Sequence, residues 1–214
     1  MFDKFAVILK LMQNKKQFLI AVFANLIVQL GITYYVMERT DPNLYKKIGV
    51  WSLLLFQIFI IFLLYITITW QVHPIVKFML FAVLSGSIGV NLAMYKKTYS
   101  EELIRVAIKG ALSVFVAMFL FGLVLLAFGV YLGPEVGIIL LVSLLGLIIA
   151  RIWSYLSGTR NKILYMIGVI IFSAYVIYDT NVILRRDYYG DFITASLDYY
   201  LDILNLYTNI LGQQ

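Results

Sequence analysis

Seven apolar runs, each about as long as a membrane-spanning helix, fill most of this 214-residue chain and limit what it can fold into. A hydrocarbon core roughly 30 Å thick needs about 20 apolar residues in each helix that crosses it. The strict alternation of a membrane barrel is missing from runs such as residues 137–150. We therefore predict an all-α membrane protein with seven transmembrane helices, at about residues 18–37, 48–70, 75–95, 106–132, 135–155, 162–184 and 192–211.

Composition agrees with this interpretation, because 63% of the residues are hydrophobic and only 13% are charged. A soluble domain is nearer half apolar and a quarter charged. The spans leave no length for a soluble domain, so we expect one polytopic membrane domain over residues 1–214. Residues 1–17 have apolar positions near helical spacing and predict a helix on the membrane surface.

Several classes of site are excluded or disfavoured by residue counts. The chain has no cysteine and one histidine, His73, which rules out thiolate and multi-histidine metal sites. Its net charge of +6 comes from lysines and arginines in loops and at helix ends, among which we count Arg151. These cations are expected to anchor the chain at lipid headgroups rather than to bind nucleic acid. We expect no enzymatic activity and no cofactor.

Eight of the eleven acidic residues fall in loops or at span ends, and only Asp179, Asp198 and Asp202 fall well inside predicted spans. A charge at a helix centre costs about 2.5–3.5 kcal/mol, so such groups are functional candidates. If the last two spans form an antiparallel hairpin that turns near Gly190, Asp179 and Asp202 reach nearly the same depth, because each residue rises about 1.5 Å.

Polar residues near this pair support the same interpretation. Tyr175 and Tyr178 lie within one helical turn of Asp179, and we expect them to pack and hydrogen-bond rather than to bind an ion. The last span has one polar stripe and is the least hydrophobic, so we place it at the centre of the bundle. The stripe consists of Asp198, Asp202, Asn205 and Asn209.

Two carboxylates in contact have a direct physical consequence. At about 4 Å and an effective dielectric constant of about 20, they repel by about 4 kcal/mol if both are charged. Asp179 and Asp202 should therefore share one proton and titrate as a unit. The shared proton makes a short hydrogen bond that joins the last two spans, so the pair would sense pH. When deprotonated, the two aspartates, with Asp198 and Asn205 nearby, form an oxygen-rich site suited to Ca²⁺.

Residues 172–180 (FSAYVIYDT) and 195–206 (ASLDYYLDILNL) resemble the paired signature of the Bax inhibitor-1 family, the transmembrane Bax-inhibitor-motif proteins. The resemblance extends more loosely over the whole chain. It implies seven helices with the last one central, and a pH-sensitive Ca²⁺ leak channel. The membrane would be the plasma membrane in bacteria, or the endoplasmic reticulum or Golgi for eukaryotic or viral members, which also suppress cell death. The family's two latch aspartates map onto Asp179 and Asp202, and Asp198 matches an acid found in some members.

The chain departs from the family at one position, and alternatives for the aspartates stay open. Some members have an arginine near the end of the second helix; here residues 68–74 read ITWQVHP, and the two side chains that could substitute for it, His73 and Lys77, lie near the loop. The pair could be a structural clamp in a survival factor that binds apoptosis-regulating membrane proteins. An intramembrane aspartyl protease is a third hypothesis, although its Gly-x-Gly-Asp context is replaced by Tyr-Tyr-Leu-Asp. A polar stripe on the first span, Asn25, Gln29 and Thr33, predicts hydrogen bonds between helices more than a pore lining.

Overall fold

The computed structural model describes residues 2–69, 72–159 and 161–214, and over these ranges it contains nine α-helices and no strand. The prediction of an all-α protein is confirmed. Trp70, the last residue of the predicted second span, lies outside the described residues, as do Gln71 and Arg160. The helices are α1 (Phe2–Asn14), α2 (Lys16–Arg39), α3 (Leu44–Ile48), α4 (Val50–Thr69), α5 (Pro74–Ala93), α6 (Glu101–Ala127), α7 (Pro134–Leu156), α8 (Lys162–Arg185) and α9 (Phe192–Gly212).

Five helical segments in the described part of the chain are long and apolar enough to cross a membrane, which indicates a multi-pass membrane protein. These segments are Lys16–Arg39, Pro74–Lys97, Glu101–Ala127, Pro134–Leu156 and Lys162–Arg185. The second of them joins α5 to a 3₁₀ turn, Met94–Lys97. Helix α4 has a shorter apolar stretch, Ser52–Thr67, and α9, which carries two aspartates, is not among the five.

Two helix boundaries differ from the prediction because a glycine near each one adopts a left-handed backbone conformation. Helix α6 ends at Ala127 rather than near residue 132, since Gly129 has φ of 74° and the Val130 N–H turns back to the Leu125 carbonyl at 2.9 Å. Gly49, with φ of 83°, separates the short α3 from α4 inside the predicted start of the second span. A hydrophobic run alone does not reveal such stops.

Helix starts are fixed by local capping. His73 precedes Pro74 at the first position of α5, and its Nδ1 accepts a hydrogen bond from the Ile75 N–H at 3.3 Å. Asn161 caps α8 by accepting from the Ile163 N–H at 2.9 Å. Asp191 does the same for α9 through the Thr194 N–H at 3.2 Å. These caps mark where α5, α8 and α9 begin.

The residues cluster into two compact units, and the first carries the candidate site. Unit one comprises Met1–Gln17, Arg105–Tyr188 and Leu201–Gln214. Within it, α7 packs on α8, and α6 approaches α8 closely at Gly122, where an added Cβ would lie 2.9 Å from Thr180 Cβ. Helix α9 meets α6 where Ile210 contacts Gly110. Small residues thus let the helices of unit one pack tightly around α8.

Unit two comprises Phe18–Ile104 and Tyr189–Tyr200. Helix α4 packs on α5, and the Asn91 amide donates to Gln57 Oε1 between them at 3.0 Å. Helices α2 and α5 approach closely at Gly89, where an added Cβ would lie 2.6 Å from the Thr33 carbonyl oxygen. Contact with the backbone leaves no space for a larger residue at this position.

Candidate functional site

The side chains of Asp179 on α8 and Asp202 on α9 hydrogen-bond to each other within unit one. Asp202 is buried, with 4% of its surface exposed, and Asp179 is partly exposed. Because an ionised carboxylate can only accept hydrogen bonds, a bond between two carboxyl groups needs a proton on one of them. The structure therefore brings together the two aspartates that equal depth predicts to pair, and a single shared proton would make the bond between them.

The two tyrosines occupy different positions around the pair. Tyr175 lies near enough to both aspartates to interact with them electrostatically, and its ring stacks on Phe172 with centroids 5.9 Å apart. Tyr178 packs on α7, where its hydroxyl lies 2.6 Å from the place that a Cβ on Gly137 would take. Tyr175 is thus a neighbour of the carboxyl pair, and Tyr178 fixes the approach of α7 to α8.

The other three residues of the predicted stripe on α9 differ in burial and in the unit to which they belong. Asn205 donates its side-chain amide to the Leu201 carbonyl of its own helix at 2.8 Å, and it is partly exposed. Asp198 is also partly exposed, and it belongs to unit two. Asn209 is buried and donates to the Asn205 carbonyl at 2.6 Å. The predicted role of Asp198 and Asn205 in an ion path stays a prediction.

A resident metal site of conventional size is not present in the described ranges, which contain no group of three or more histidine, cysteine, aspartate or glutamate side chains placed to hold an ion. Ca²⁺ usually takes six to eight oxygen ligands. The two carboxyl groups of Asp179 and Asp202 supply at most four, so any calcium at this pair would need water or backbone oxygens as well.

Arg151 was placed with the loop cations by its sequence position, but the structure puts it in the packed part of unit one. Its guanidinium donates to Asn209 Oδ1 on α9 and to the Leu164 carbonyl of α8 at 3.5 Å, and it lies 4.8 Å from the centre of the Tyr165 ring. Arg151 and Leu164 are about equally far from the turn at Gly158. Equal distance from a turn, the argument that pairs Asp179 with Asp202, also predicts this contact.

Asn181, two residues after Asp179, is a second site residue that sequence reasoning missed. It is fully buried, donates to the Val130 carbonyl at 3.0 Å and accepts from the Leu132 N–H at 3.1 Å. The segment that follows α6 is therefore fastened to α8 close to the carboxyl pair. Arg185 adds a cation–π contact with Tyr131, 4.4 Å from the ring centre.

Unit two contains a buried polar network that confirms the helix-to-helix role predicted for the stripe on α2. Asn25 donates to Ser196 Oγ at 2.5 Å, and Ser85 donates to Gln29 Oε1 at 2.9 Å. Thr33 Oγ1 and the Tyr200 hydroxyl are 2.6 Å apart. These bonds join α2 to α5 and to the first part of α9, and they satisfy groups that would otherwise be costly to bury.

Lys77, one of the two residues considered as a substitute for the missing arginine, pairs with Asp191 in unit two. Its Nζ lies 2.5 Å from Asp191 Oδ2, which also accepts from the Thr194 hydroxyl at 2.7 Å. Burial raises the pKa of Asp191, but the hydrogen bonds from Lys77 and Thr194 outweigh it and hold that pKa below its usual range. Lys77 thus secures the start of α9.

Comparison with known proteins gives a family match over nearly the whole chain. The family described as "Inhibitor of apoptosis-promoting Bax1" matches residues 15–212. "Protein LIFEGUARD 1" of Arabidopsis thaliana is 34% identical over 83 residues, which is 38% of this chain and 34% of that protein. "BI1-like protein" of the same plant is 34% identical over 84 residues, or 38% of this chain and 31% of that protein. The matched segment thus spans about a third of these curated relatives.

Proposed function

Because this chain belongs to the Bax inhibitor-1 family, a family of membrane proteins related to apoptosis, we propose that it forms a calcium leak pathway gated by the proton shared between Asp179 and Asp202. The observation that carries this proposal is the hydrogen bond between these two carboxyl groups, one on α8 and one on α9. The same proton that holds the helices together is exchangeable with solvent, so pH controls the link.

The gating step follows from the charge of the pair. With one proton, the carboxyl groups bond and hold α8 against the second part of α9. Loss of that proton leaves two carboxylates that repel by about 4 kcal/mol at an effective dielectric constant of about 20. Repulsion of this size is enough to shift a two-state equilibrium by roughly a thousandfold. We therefore assign the closed state to the protonated pair and the open state to the fully ionised pair.

Calcium suits the pathway as a passing ion. The ionised pair offers hard oxygen ligands, and Asp198 and Asn205 lie one turn before and one turn after Asp202 on α9. Conduction requires binding that is weak enough to release the ion. A pair of carboxylates with few other ligands meets that condition better than a complete cage would.

The architecture in this proposal has seven crossings, with α9 in the centre. The support is burial: no residue of α9 between Phe192 and Gly212 is exposed, although the helix carries Asp198, Asp202 and two asparagines. A helix of that polarity would be costly against lipid. Helix α4, with 20 residues, is also long enough to cross.

Calcium flux through reconstituted liposomes tests the gate. In liposomes that contain the wild-type protein and an encapsulated calcium dye, the calcium flux reported by the dye should increase as pH rises, because rising pH ionises the pair. Asp179→Asn and Asp202→Asn each replace one of the two carboxyl groups that share the proton with a neutral amide. Each should make flux independent of pH, and the double variant should stay in the low-flux state at all pH values.

The matched control is Asp187→Asn, which makes the same chemical change at an exposed residue just beyond the end of α8. It should keep the wild-type pH profile. Flux that does not vary with pH in the wild type, or that varies equally in Asp202→Asn, would reject the gate.

A second candidate function keeps the aspartates as a structural clamp in a protein that modulates cell death through membrane-protein partners. It is favoured by Asn205, whose amide bonds to its own helix rather than to the carboxyl pair. Protection of cells that survives the double Asp→Asn change would support it. A membrane protease is the least supported alternative, and binding of an aspartyl-protease transition-state analogue would favour it.

A further inference from the structure

Basic side chains from two distant parts of the chain meet at the end of α8 in unit one. Arg185 is the last residue of α8, and Arg186 follows it. Lys15, which directly precedes α2, joins them because its Nζ donates to the Ile183 carbonyl at 3.0 Å and to the Arg186 carbonyl at 2.5 Å. We call Lys15, Arg185 and Arg186 the basic surface.

Both arginines are exposed and are oriented by neutral groups. The guanidinium of Arg185 lies 4.4 Å from the centre of the Tyr131 ring, and its Nη1 donates to Asn181 Oδ1 at 3.4 Å. The guanidinium of Arg186 lies 5.7 Å from the centre of the Tyr188 ring. A guanidinium has five N–H donors in a planar fork that matches phosphate oxygens, and the bond to Asn181 uses one of them.

The charge of the basic surface is positive even when the acid beside it is counted. Asp187 follows Arg186 in the chain, and its charge acts on Lys15. The partners that orient the two guanidinium groups, an amide and two phenol rings, carry no charge. Three cations and one acid leave a net positive charge, so the basic surface complements a negatively charged ligand.

The ends of several candidate membrane spans place the basic surface at the boundary between membrane and water. Helix α8 is a candidate span that ends at Arg185, and the span formed by α2 begins at Lys16, directly after Lys15. Tyr131 belongs to the connection between the spans of α6 and α7, and it is 63% exposed. Lipid headgroups occupy this level, and tyrosine is enriched there.

We propose that the basic surface binds the headgroup of an anionic phospholipid, with Arg185 and Arg186 as ligands of its phosphate and Lys15 as an additional positive charge. Each cation at an anionic lipid surface favours binding by roughly fivefold, whereas a zwitterionic headgroup has no net charge to attract it. A bound headgroup would add a link between the end of α8 and the segment before α2. This lipid site is independent of the calcium pathway, because it concerns affinity for lipid and not flux.

Native mass spectrometry of the full-length protein, released from a neutral detergent, measures lipid affinity directly. Phosphatidylglycerol should bind at least about tenfold more tightly than phosphatidylcholine with the same acyl chains. Equal affinity for the two lipids would overturn the proposal.

Variants decide whether the basic surface is responsible for that preference. Arg185→Gln combined with Arg186→Gln should weaken phosphatidylglycerol binding roughly thirtyfold and leave phosphatidylcholine binding within about twofold. Arg39→Gln is the matched control, because Arg39 is also an exposed arginine in the last turn of its helix, 5.5 Å from the centre of the Tyr35 ring. It lies at the opposite end of α2 from Lys15, and its change should leave binding of both lipids within about twofold.

Two changes at Tyr188 provide an independent test, since the double arginine variant also loses its ring contacts. Tyr188→Glu and Tyr188→Gln both remove the ring beside Arg186, but only the first adds a carboxylate there. Tyr188→Glu should therefore bind phosphatidylglycerol about fivefold or more weakly than Tyr188→Gln. Equal binding by these two variants, wild-type binding by the double arginine variant, or an equally large loss in Arg39→Gln would overturn the proposal.

Discussion

Asp191 and Lys77 form an ion pair in which each side chain is largely buried, with 20% and 9% of their surfaces exposed. Asp191→Asn should lower the free energy of unfolding by roughly 1–3 kcal/mol, because Lys77 keeps its charge in a buried place without its carboxylate. The value is below that of a fully buried pair since water still reaches Asp191. Unfolding in a denaturing detergent, followed by tryptophan fluorescence, measures the change, and Asp187→Asn should change it by less than about 1 kcal/mol.

The same pair gives a dependence on pH whose sign is fixed by the pKa. The folded-state pKa of Asp191 lies below its ordinary value of 3.8, so the pair contributes stability above about pH 4. That contribution is lost as pH falls through the lower, folded-state pKa. The stability difference between wild type and Asp191→Asn should therefore be complete at pH 7 and shrink below about pH 4. A difference that stays constant down to pH 3 would contradict this assignment.

Residues of the site differ in how far the sequence predicts them. Asp179 and Asp202 could be paired beforehand, because helical rise fixes depth and a buried carboxylate needs a partner. Lys77 could not be placed, since a long basic side chain near a helix end can equally reach outward to headgroups or turn inward. Arg151 and Leu164 are about equally far from the turn at Gly158, so the same argument from depth does predict their contact. Asn181 was missed because its partners are backbone groups of a segment whose course depends on Gly129.

Helix α6 packs on α8 through Gly122, and this contact limits which residues the position accepts. An added Cβ would lie 2.9 Å from Thr180 Cβ and 3.3 Å from the Ile177 carbonyl oxygen, both of which are fixed groups. Gly122→Ala should destabilise the protein by roughly 1–3 kcal/mol. Gly146→Ala, with nothing within 4 Å of the added Cβ, should be neutral or stabilising by up to about 1 kcal/mol. Equal melting temperatures for the two variants would argue against close packing at Gly122.

Gln29 connects α2 to α5 at the centre of the network in unit two. Gln29→Leu has a similar size, but it leaves Asn25 and Ser85 without the amide they now contact. The expected loss of stability is roughly 1–3 kcal/mol, the cost of buried groups left unpaired. Gln17→Leu makes the same change on the same helix at an exposed position and should alter stability by less than about 0.5 kcal/mol. Equal losses in the two variants would show that the network adds nothing.

The sequence predicts which segments form helices better than it predicts where those helices end. A run of about 20 apolar residues decides that a helix forms, because a lipid environment demands internal hydrogen bonds for every backbone group. Where the helix stops depends on one residue that accepts positive φ, such as Gly49 or Gly129, and the surrounding Val, Leu and Phe give no warning of it. The break at Pro74 was predictable since proline fixes its own geometry and that of the residue before it.

At the scale of the whole molecule, the number of crossings decides which loops share a side of the membrane. The chain has no cysteine, so single cysteines can be introduced without a background. Val130→Cys and Thr159→Cys flank α7, which is long and apolar enough to cross, and a membrane-impermeant maleimide should label them from opposite sides. These two cysteine variants calibrate the maleimide-labelling assay, which uses sealed vesicles of both orientations.

Helices α4 and α9 are the two on which the proposed architecture depends, since one has a short apolar stretch and the other carries two aspartates. Asn43→Cys and Val72→Cys flank α4, while Tyr189→Cys and Gln214→Cys flank α9. If both helices cross, the members of each pair label from opposite sides. If α9 instead lies along one membrane surface, Tyr189→Cys and Gln214→Cys label from the same side. Asp202 would then lie near one surface, where water could ionise both carboxyl groups without moving a helix, and the proton shared with Asp179 could not act as a gate.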